Sequence, residues 1–212
     1  MDDRPLAPLA RKDVFPEPNP RFGRLPEYSR VGLAAVAFAL RDAGMETWDA
    51  KRPAGIVAST RLGCLVTDIE YYDTVLPADG GLPSPNLFAY TLPTCFIGEA
   101  AIQFGLTGPT FIVNDAAGDA LCGLRTALES ISWGDCDTVV AGHIDLPSRR
   151  AIPGIVPAVP GALFMVLEDV RKRPAPGFGT LDRSDGGAVR RDGVEMTDLT
   201  ELVRACLEGF RR

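Results

Sequence analysis

Short, continuously apolar segments alternate with amphipathic helical segments, and this alternation constrains the fold more than any other feature of the chain. The apolar segments are Gly55–Ser59, Thr110–Asn114, Thr138–Gly142 and Ala162–Leu167. Strands buried on both faces have such uninterrupted apolar runs, whereas a strand with one solvated face alternates apolar and polar residues. The pattern predicts an α/β fold with helices on both faces of one sheet, and it places residues 110–114, 138–142 and 162–167 at the sheet's centre.

The helical segments have apolar residues at intervals of three or four, which places those residues on one helix face. We expect helices at about 29–43, 67–76, 97–104, 117–132 and 196–210. Ser29 is the predicted N-cap of the first helix, and Gly44 and Gly105 follow the ends of the first and third. The segment Ser84–Pro93 is expected to be an extended loop.

The two ends of the chain differ in composition from its middle. Residues 1–27 hold many prolines and no periodic apolar pattern, which predicts an irregular arm. Residues 174–193 are rich in proline, glycine and aspartate, which is typical of a linker. The sequence therefore divides into an arm (1–27), a domain (28–173), and a linker with a terminal helix (174–212).

Charge and composition exclude several classes of function. The net charge is −6 and there is no large Lys/Arg cluster, which disfavours binding to nucleic acid or to an anionic membrane. No segment is apolar for long enough to span a bilayer, and residues 1–20 lack the apolar core of a secretory signal, so we expect a cytoplasmic protein. Five cysteines without a CxxC pair and a single histidine predict reduced thiols, no metal site and no cofactor.

Several motifs follow one another in a fixed order between about residues 25 and 173. They are SPNLF (84–88), LP (92–93), GEAAIQFGLTGP (98–109), WGDCD (133–137), VAG (140–142) and GALFMVLE (161–168). As an ordered set they resemble the N-terminal domain of the β-ketoacyl synthases, which belong to the thiolase superfamily. The resemblance implies a thiolase-like half-fold whose sheet is mixed and mostly parallel.

The resemblance also implies that the nucleophile is missing. In this family a cysteine lies at a strand-to-helix turn, where free N–H groups of the helix N-terminus stabilise its thiolate. Counting from Gly108 and Pro109 places that position at Ala117, and a methyl group cannot form an acyl thioester. The expected chain is ketosynthase-like but does not condense acyl chains on its own.

Other polar residues near this position have structural interpretations that we favour over catalytic ones. If the helix begins at residue 117, Cys122 lies about one and a half turns inside it and is expected to be a small buried thiol. Asp115 and Asp119 flank the helix start, where carboxylates cap free N–H groups, and an acid–base role is the alternative. His143 occupies a position where the family has a small residue, and we expect a structural histidine rather than a catalytic one.

The chain departs from the family pattern in two further ways, and three functions are compatible with these departures. The histidine and lysine motifs of the family's C-terminal half are absent, and no opening strand is evident before Phe22. The favoured function is a non-catalytic subunit, similar to a chain-length factor, in fatty-acid or polyketide-type biosynthesis. The alternatives are a stand-alone module that binds acyl carriers or acyl-CoA or has a regulatory role, and a cysteine-independent decarboxylase.

The family resemblance implies a dimer as well. The family dimer forms largely along the strand before the nucleophile, which here consists of Thr110, Phe111, Ile112, Val113 and Asn114. The partner is expected to be a second copy or a full-length ketosynthase. Acyl carrier protein would dock through that partner, because this chain is itself acidic.

Two details of the dimer have alternatives. Across the interface Leu87 and Phe88 would approach the end of the partner's acyl pocket, whereas ordinary core packing of these side chains is the alternative. A half-fold exposes apolar sheet surface, which a dimer would cover. Alternatively, the terminal helix at 196–210 folds back over the sheet.

Overall fold

Seven helices and seven strands are observed in a computed structural model that describes residues 9–78, 80–147, 160–172 and 177–210. The helices are α1 (Arg11–Val14), α2 (Glu27–Asp42), α3 (Leu65–Val75), α4 (Pro85–Phe88), α5 (Cys95–Phe104), α6 (Cys122–Trp133) and α7 (Leu199–Phe210). The strands are β1 (Ala54–Thr60), β2 (Thr110–Asn114), β3 (Thr138–Asp145), β4 (Gly161–Glu168), β5 (Leu181–Arg183), β6 (Val189–Arg191) and β7 (Val194–Glu195).

The main sheet has four strands in the order β2-β1-β3-β4. Strand β1 is parallel to both β2 and β3, and β4 is antiparallel to β3, so the prediction of a mixed, mostly parallel sheet is confirmed. Every residue of β1 and β3 is buried. The prediction that β2 and β4 are central is wrong, because both are edge strands. A strand has apolar residues on both faces when helices cover both faces of the sheet. Helices cover this sheet as far as its edges, so edge strands have the same pattern as central ones.

Two hydrophobic cores lie on opposite faces of the sheet, as the sequence predicted. The first core packs α2 and α5 against the sheet, with Phe96 and Phe164 ring to ring at 6.0 Å between centroids. The second core packs α6 and α7 against the other face, where Leu124 of α6 and Leu202 of α7 are fully buried.

The N-terminal segment is more ordered than the prediction of an irregular arm allowed. It contains α1 and a 3₁₀ turn at Phe22–Arg24, and its side chains enter the first core. The rings of Phe15 and Phe22 are in edge contact at 5.5 Å, and Phe15 stacks on Phe104 of α5 at 6.1 Å. Single aromatic residues at irregular spacing produce no periodic signal, which explains the error. Residues 1–8 of the predicted arm lie outside the described residues.

The C-terminal segment covers the second face of the sheet. Residues 181–195, expected to belong to a linker, form the small antiparallel sheet β5-β6-β7, while residues 173–176 lie outside the described part. Arg183 of β5 pairs with Glu129 of α6 at 2.5 Å. Helix α7 begins at Leu199 rather than at 196, and Leu199 and Leu202 are buried. The terminal helix therefore folds back over this face of the sheet, as one of the two alternatives predicted.

Two further predictions of local structure were wrong. Helix α2 begins at Glu27 with Pro26 as its N-cap residue, so Ser29 lies inside the helix rather than capping it. The predicted loop at 84–93 contains the one-turn helix α4, whose Leu87 N–H donates to the Ser84 hydroxyl at 3.3 Å. Proline at the first position of a helix costs no hydrogen bond, which makes Pro85 compatible with a helix start.

Both edges of the main sheet present outward backbone groups at every second residue. Two hydrogen bonds at the ends of β2 join it to β1. Ile56 N–H of β1 donates to the Pro109 carbonyl, and Asp115 N–H donates to the Thr60 carbonyl of β1, both at 2.9 Å. Odd-numbered residues thus face β1, and the backbone groups of Thr110 and Ile112 face away from it. Among the described residues, no helix is long and apolar enough to cross a membrane.

Candidate functional site

The segment between β2 and α6 is a compact set of turns instead of the predicted start of a helix at residue 117. The Asp115 carboxylate accepts the N–H groups of Gly118 at 3.2 Å and Ala120 at 2.9 Å. Gly118 and Ala120 have φ values of 75° and 60°, which an α-helix cannot contain. Ala117 lies in the middle of these turns, between a strand and a helix as expected, and its methyl group is exposed.

The two carboxylates that flank this segment hold the backbone. Asp115 is fully buried and accepts the two N–H groups of the turns named above. Asp119 accepts the Leu121 N–H at 2.9 Å and pairs with Arg125. Each carboxylate satisfies N–H groups that precede the first helical turn, which is the structural role favoured from the sequence.

Cys122 is the first residue of α6, which corrects the expectation that it lies well inside a helix. Position alone would favour a thiolate here, because free N–H groups and the helix dipole stabilise negative charge. Burial nevertheless raises the pKa of the Cys122 thiol, and the nearby Asp115 carboxylate raises that pKa further. The Sγ atom lies 3.6 Å from the carbonyl oxygen of Asn114, to which the thiol donates. Cys122 is therefore a protonated thiol and a weak nucleophile at neutral pH.

A buried polar cluster lies beneath the turns, at the carboxyl ends of β1, β2 and β3. The Ser59 hydroxyl is 3.0 Å from Nδ1 of His143 and 3.4 Å from the Gly142 carbonyl oxygen. The Asp145 carboxylate lies 3.3 Å from Nε2 of His143, and the Asp115 carboxylate lies 3.9 Å from Nδ1. Ser59, Asp115 and Asp145 are 0% exposed and His143 is 1% exposed, so no reactant reaches these groups.

The cluster resembles a serine–histidine–aspartate relay in composition, but its contacts are those of a structural network. The Asp145 carboxylate accepts the Thr60 hydroxyl at 2.7 Å and the N–H groups of Arg61 and Leu62 at 3.0 and 2.9 Å. These bonds hold the loop after β1 against the end of β3. A nucleophile must contact its substrate, and the Ser59 hydroxyl is enclosed on every side.

The sequence reasoning found His143 and Asp115 but missed Ser59, Thr60 and Asp145. The signal that could have found them is the position of these polar residues in otherwise apolar strands. Parallel strands bring their carboxyl ends to one edge of a sheet, so polar residues at the ends of β1 and β3 must meet there.

Leu87 and Phe88 lie on α4, which packs on α3, and neither is a core residue. Leu87 is half-buried, while Phe88 is 63% exposed and touches the Tyr71 ring at 5.5 Å between centroids. Other large apolar side chains of the same chain segment are also exposed, namely Tyr72, Leu76, Leu82 and Leu92. The core-packing alternative therefore does not hold for Phe88.

A cavity of about 240 Å³ lies at the opposite end of the strands from Ala117. It is lined by Ala54 and Thr138, the first residues of β1 and β3, together with Met45, Arg52, Pro53 and Asp137. In the described parts of the chain, no group of three or more His, Cys, Asp or Glu side chains is arranged to hold a metal ion.

A family comparison decides the classification of this fold. Residues 12–152 match the model of the β-ketoacyl synthase N-terminal domain. The chain belongs to this family. The matched range contains strands β1, β2 and β3 and the turns around Ala117.

Curated relatives of the chain are polyketide synthases and ketosynthases. The chain is 29% identical over 188 residues to the hybrid PKS-NRPS synthetase TAS1 of Pyricularia oryzae, covering 86% of this chain and 10% of that protein. It is 24% identical over 220 residues to a putative polyketide β-ketoacyl synthase 1 of Streptomyces virginiae, covering 83% of this chain and 51% of the relative. The chain thus spans from a tenth to about half the length of these relatives.

Solved structures share the fold. The ishigamide ketosynthase/chain length factor matches with a TM-score of 0.61 at 17% identity, over 76% of this chain and 49% of that chain. The ketosynthase ApeO in complex with its chain length factor ApeC, from Xenorhabdus doucetiae, matches with a TM-score of 0.54 at 23% identity, over 79% and 66% of the respective chains. The chain has a ketosynthase-like fold.

Proposed function

We propose that this chain is a non-catalytic ketosynthase-like subunit, similar in role to a chain-length factor, in a fatty-acid or polyketide-type biosynthetic system. The observation that supports the proposal is the exposure of Ala117 in the turns between β2 and α6, the position to which the motifs assign the family's cysteine. Covalent acyl transfer needs a nucleophile at that point, and a methyl group has no lone pair to offer.

Neighbouring groups do not replace the missing cysteine. The pKa of the Cys122 thiol is raised by burial and by Asp115, and the Ser59 hydroxyl is fully enclosed. A cysteine-independent decarboxylase would need an accessible acid or base, whereas His143 and Asp145 are both buried, with Nε2 of His143 3.3 Å from the Asp145 carboxylate. These contacts support a structural use of the polar groups around the turn.

The partner that fits this proposal is a full-length ketosynthase, paired along β2. Thr110 and Ile112 direct backbone N–H and C=O groups away from the sheet, where a second strand can bond to them. Two solved structures of this fold are a ketosynthase/chain length factor and a ketosynthase in complex with its chain length factor, and a third is an acyl carrier protein in complex with its ketosynthase. In our proposal, carrier protein reaches this chain only through the partner.

The exposed apolar side chains around α4 extend the same proposal. Leu87 and Phe88 would contact the end of the partner's acyl pocket. Residues 28–173 would form the ketosynthase-like domain. The proposed location is the cytoplasm, where acyl carriers and CoA thioesters are made available to such enzymes.

Intact-mass measurement tests whether the chain forms a covalent acyl adduct. The purified chain, incubated with malonyl-CoA and with a medium-chain acyl-CoA, is expected to keep its mass. The Ala117→Cys variant is the matched control for access to the turn, and iodoacetamide should label its new thiol. A stable acyl adduct on the unmodified chain, mapped to Cys122 or Cys95, would overturn the proposal.

A further inference from the structure

Within the described ranges of the chain, no strand pairs with the outer edge of β4. Asp169 N–H donates to the Asp137 carbonyl at 2.9 Å, in the same antiparallel ladder that joins β3 and β4. Residues 161, 163, 165 and 167 therefore bond to β3, and the alternate residues direct their backbone groups outward. No described residue bonds to the outward N–H and C=O groups of Ala162, Phe164 or Val166.

This edge lacks the features that natural sheets use to prevent strand addition. Exposed edge strands are normally short or carry charges, prolines or bulges. Between Ala162 and Leu167 all six residues are apolar, and the register with β3 runs without a bulge. By contrast, β2 is five residues long, with Pro109 before it and exposed Thr110 and Asn114 at its ends. A stable protein is expected to cover an unprotected edge such as β4.

The side chains of β4 define what can cover it. Ala162 and Val166 are half-buried against the first core, and Leu163 and Met165 are half-buried against the second. A strand added beside β4 would thus be apolar on both faces. In this chain β4 itself has that composition, and antiparallel pairing about a two-fold axis joins identical strands.

We propose that β4 pairs with β4 of a second copy of this chain, antiparallel about a two-fold axis through Phe164. In this register Ala162 faces Val166 of the second copy and Phe164 faces its own counterpart, so three residue pairs form about six N–H···O=C bonds. Glu168 then lies opposite Pro160, which places no like charges across the interface. The two four-stranded sheets become one sheet of eight strands.

The two edges of the sheet then have different roles. The β4 edge joins two copies of this chain, and the β2 edge remains available on each copy. The inference does not depend on the proposed function, because it concerns the purified chain without any ketosynthase.

Matched proline substitutions at the two edges test this inference. Each removes an outward N–H group, and Thr110→Pro also removes the hydroxyl that donates to the Gly108 carbonyl at 3.1 Å. Proline is tolerated where a strand's N–H faces solvent. Light scattering of the purified chain is expected to show a dimer that becomes a monomer with Ala162→Pro and persists with Thr110→Pro. A wild-type monomer at high concentration would overturn the inference, as would a dimer that Thr110→Pro dissociates and Ala162→Pro does not.

Amide hydrogen exchange of the wild-type chain provides a second readout that needs no variant. The N–H groups of Ala162, Phe164 and Val166 are expected to be protected at high protein concentration and to exchange at least tenfold faster on dilution into the monomer. The amides of Leu163 and Met165, which bond to β3, should exchange at a rate independent of concentration. Protection of the outward amides at all concentrations would show that the chain covers its own edge, and would contradict the proposed dimer.

Discussion

At the scale of single residues, Ala117 lies in a set of turns held by two carboxylates rather than at the start of a helix. Asp115 and Asp119 organise the turns around Ala117, and α6 begins only at Cys122. The buried side chains of His143, Ser59 and Asp145 lie beneath these turns, close to one another. The cysteine nearest to these turns in sequence is Cys122, whose thiol pKa is raised by burial and by the Asp115 carboxylate.

The reactivity of Cys122 should reflect its raised pKa. Because burial and Asp115 disfavour the thiolate, alkylation by iodoacetamide at pH 7 should be at least several-fold slower than at an unburied thiol, and its rate should rise only above the usual range of thiol pKa values. Peptide mapping against pH measures this, with Ala117→Cys as the exposed control. Equal alkylation rates at positions 117 and 122 near neutral pH would show that Cys122 is an activated thiol.

The buried cluster should contribute to stability. Ser59→Ala removes the hydroxyl next to Nδ1 of His143 and leaves a buried ring nitrogen without that partner, so we expect a loss of about 1–3 kcal/mol in the free energy of unfolding. The matched control is Ser132→Ala on exposed helix surface, expected to change stability by less than about 0.5 kcal/mol. Urea denaturation compares the two, and similar midpoints would mean that the cluster is not a stabilising network.

At the scale of elements, the sequence predicted the parallel strands and their covering helices but not the edges of the sheet or the turns. Hydrophobic patterning indicates which side chains are buried, not which strand lies at an edge. Phe111 and Leu163 belong to edge strands but are half-buried, because α-helices extend over those strands. The predicted start of α6 was wrong because the apolar pattern does not distinguish a helical Ala120 from one at φ 60°. That conformation is accompanied by a hydrogen bond from the Ala120 N–H to the buried Asp115 carboxylate. The polar cluster escaped notice for the same reason, since Ser59 and Asp145 meet only when β1 and β3 pair.

Helix α7 is expected to be part of the core rather than an appendage. Leu202 is fully buried in the second core, which also contains Leu124 and Val57, so Leu202→Ala should destabilise the chain by about 2–5 kcal/mol. Leu207 lies one and a half turns later and is 52% exposed, and Leu207→Ala should cost far less. Thermal unfolding of both variants measures the difference. If the two variants unfold at the same temperature, α7 does not cover the sheet in solution.

At the scale of the whole molecule, the chain has a ketosynthase-like fold and its own cover on the second face of the sheet. The C-terminal elements β5 to α7 bury apolar surface that would otherwise be exposed on α6 and the sheet. This makes a folded, separate subunit physically reasonable, with the sheet edges left as association surfaces. Fold alone does not establish a partner, so the association must be measured.

The central claim, a non-catalytic subunit that pairs with a ketosynthase along β2, is tested most directly by affinity purification of the tagged chain from cells that naturally make it. We predict that the wild type recovers a full-length ketosynthase with its nucleophilic cysteine in near-equal amount, identified by mass spectrometry. Ile112→Lys would bury an unpaired charge at the seam and should reduce that recovery at least tenfold, while circular dichroism shows an unchanged fold. Recovery of no ketosynthase by the wild type, or equal recovery by the folded variant, would contradict the account.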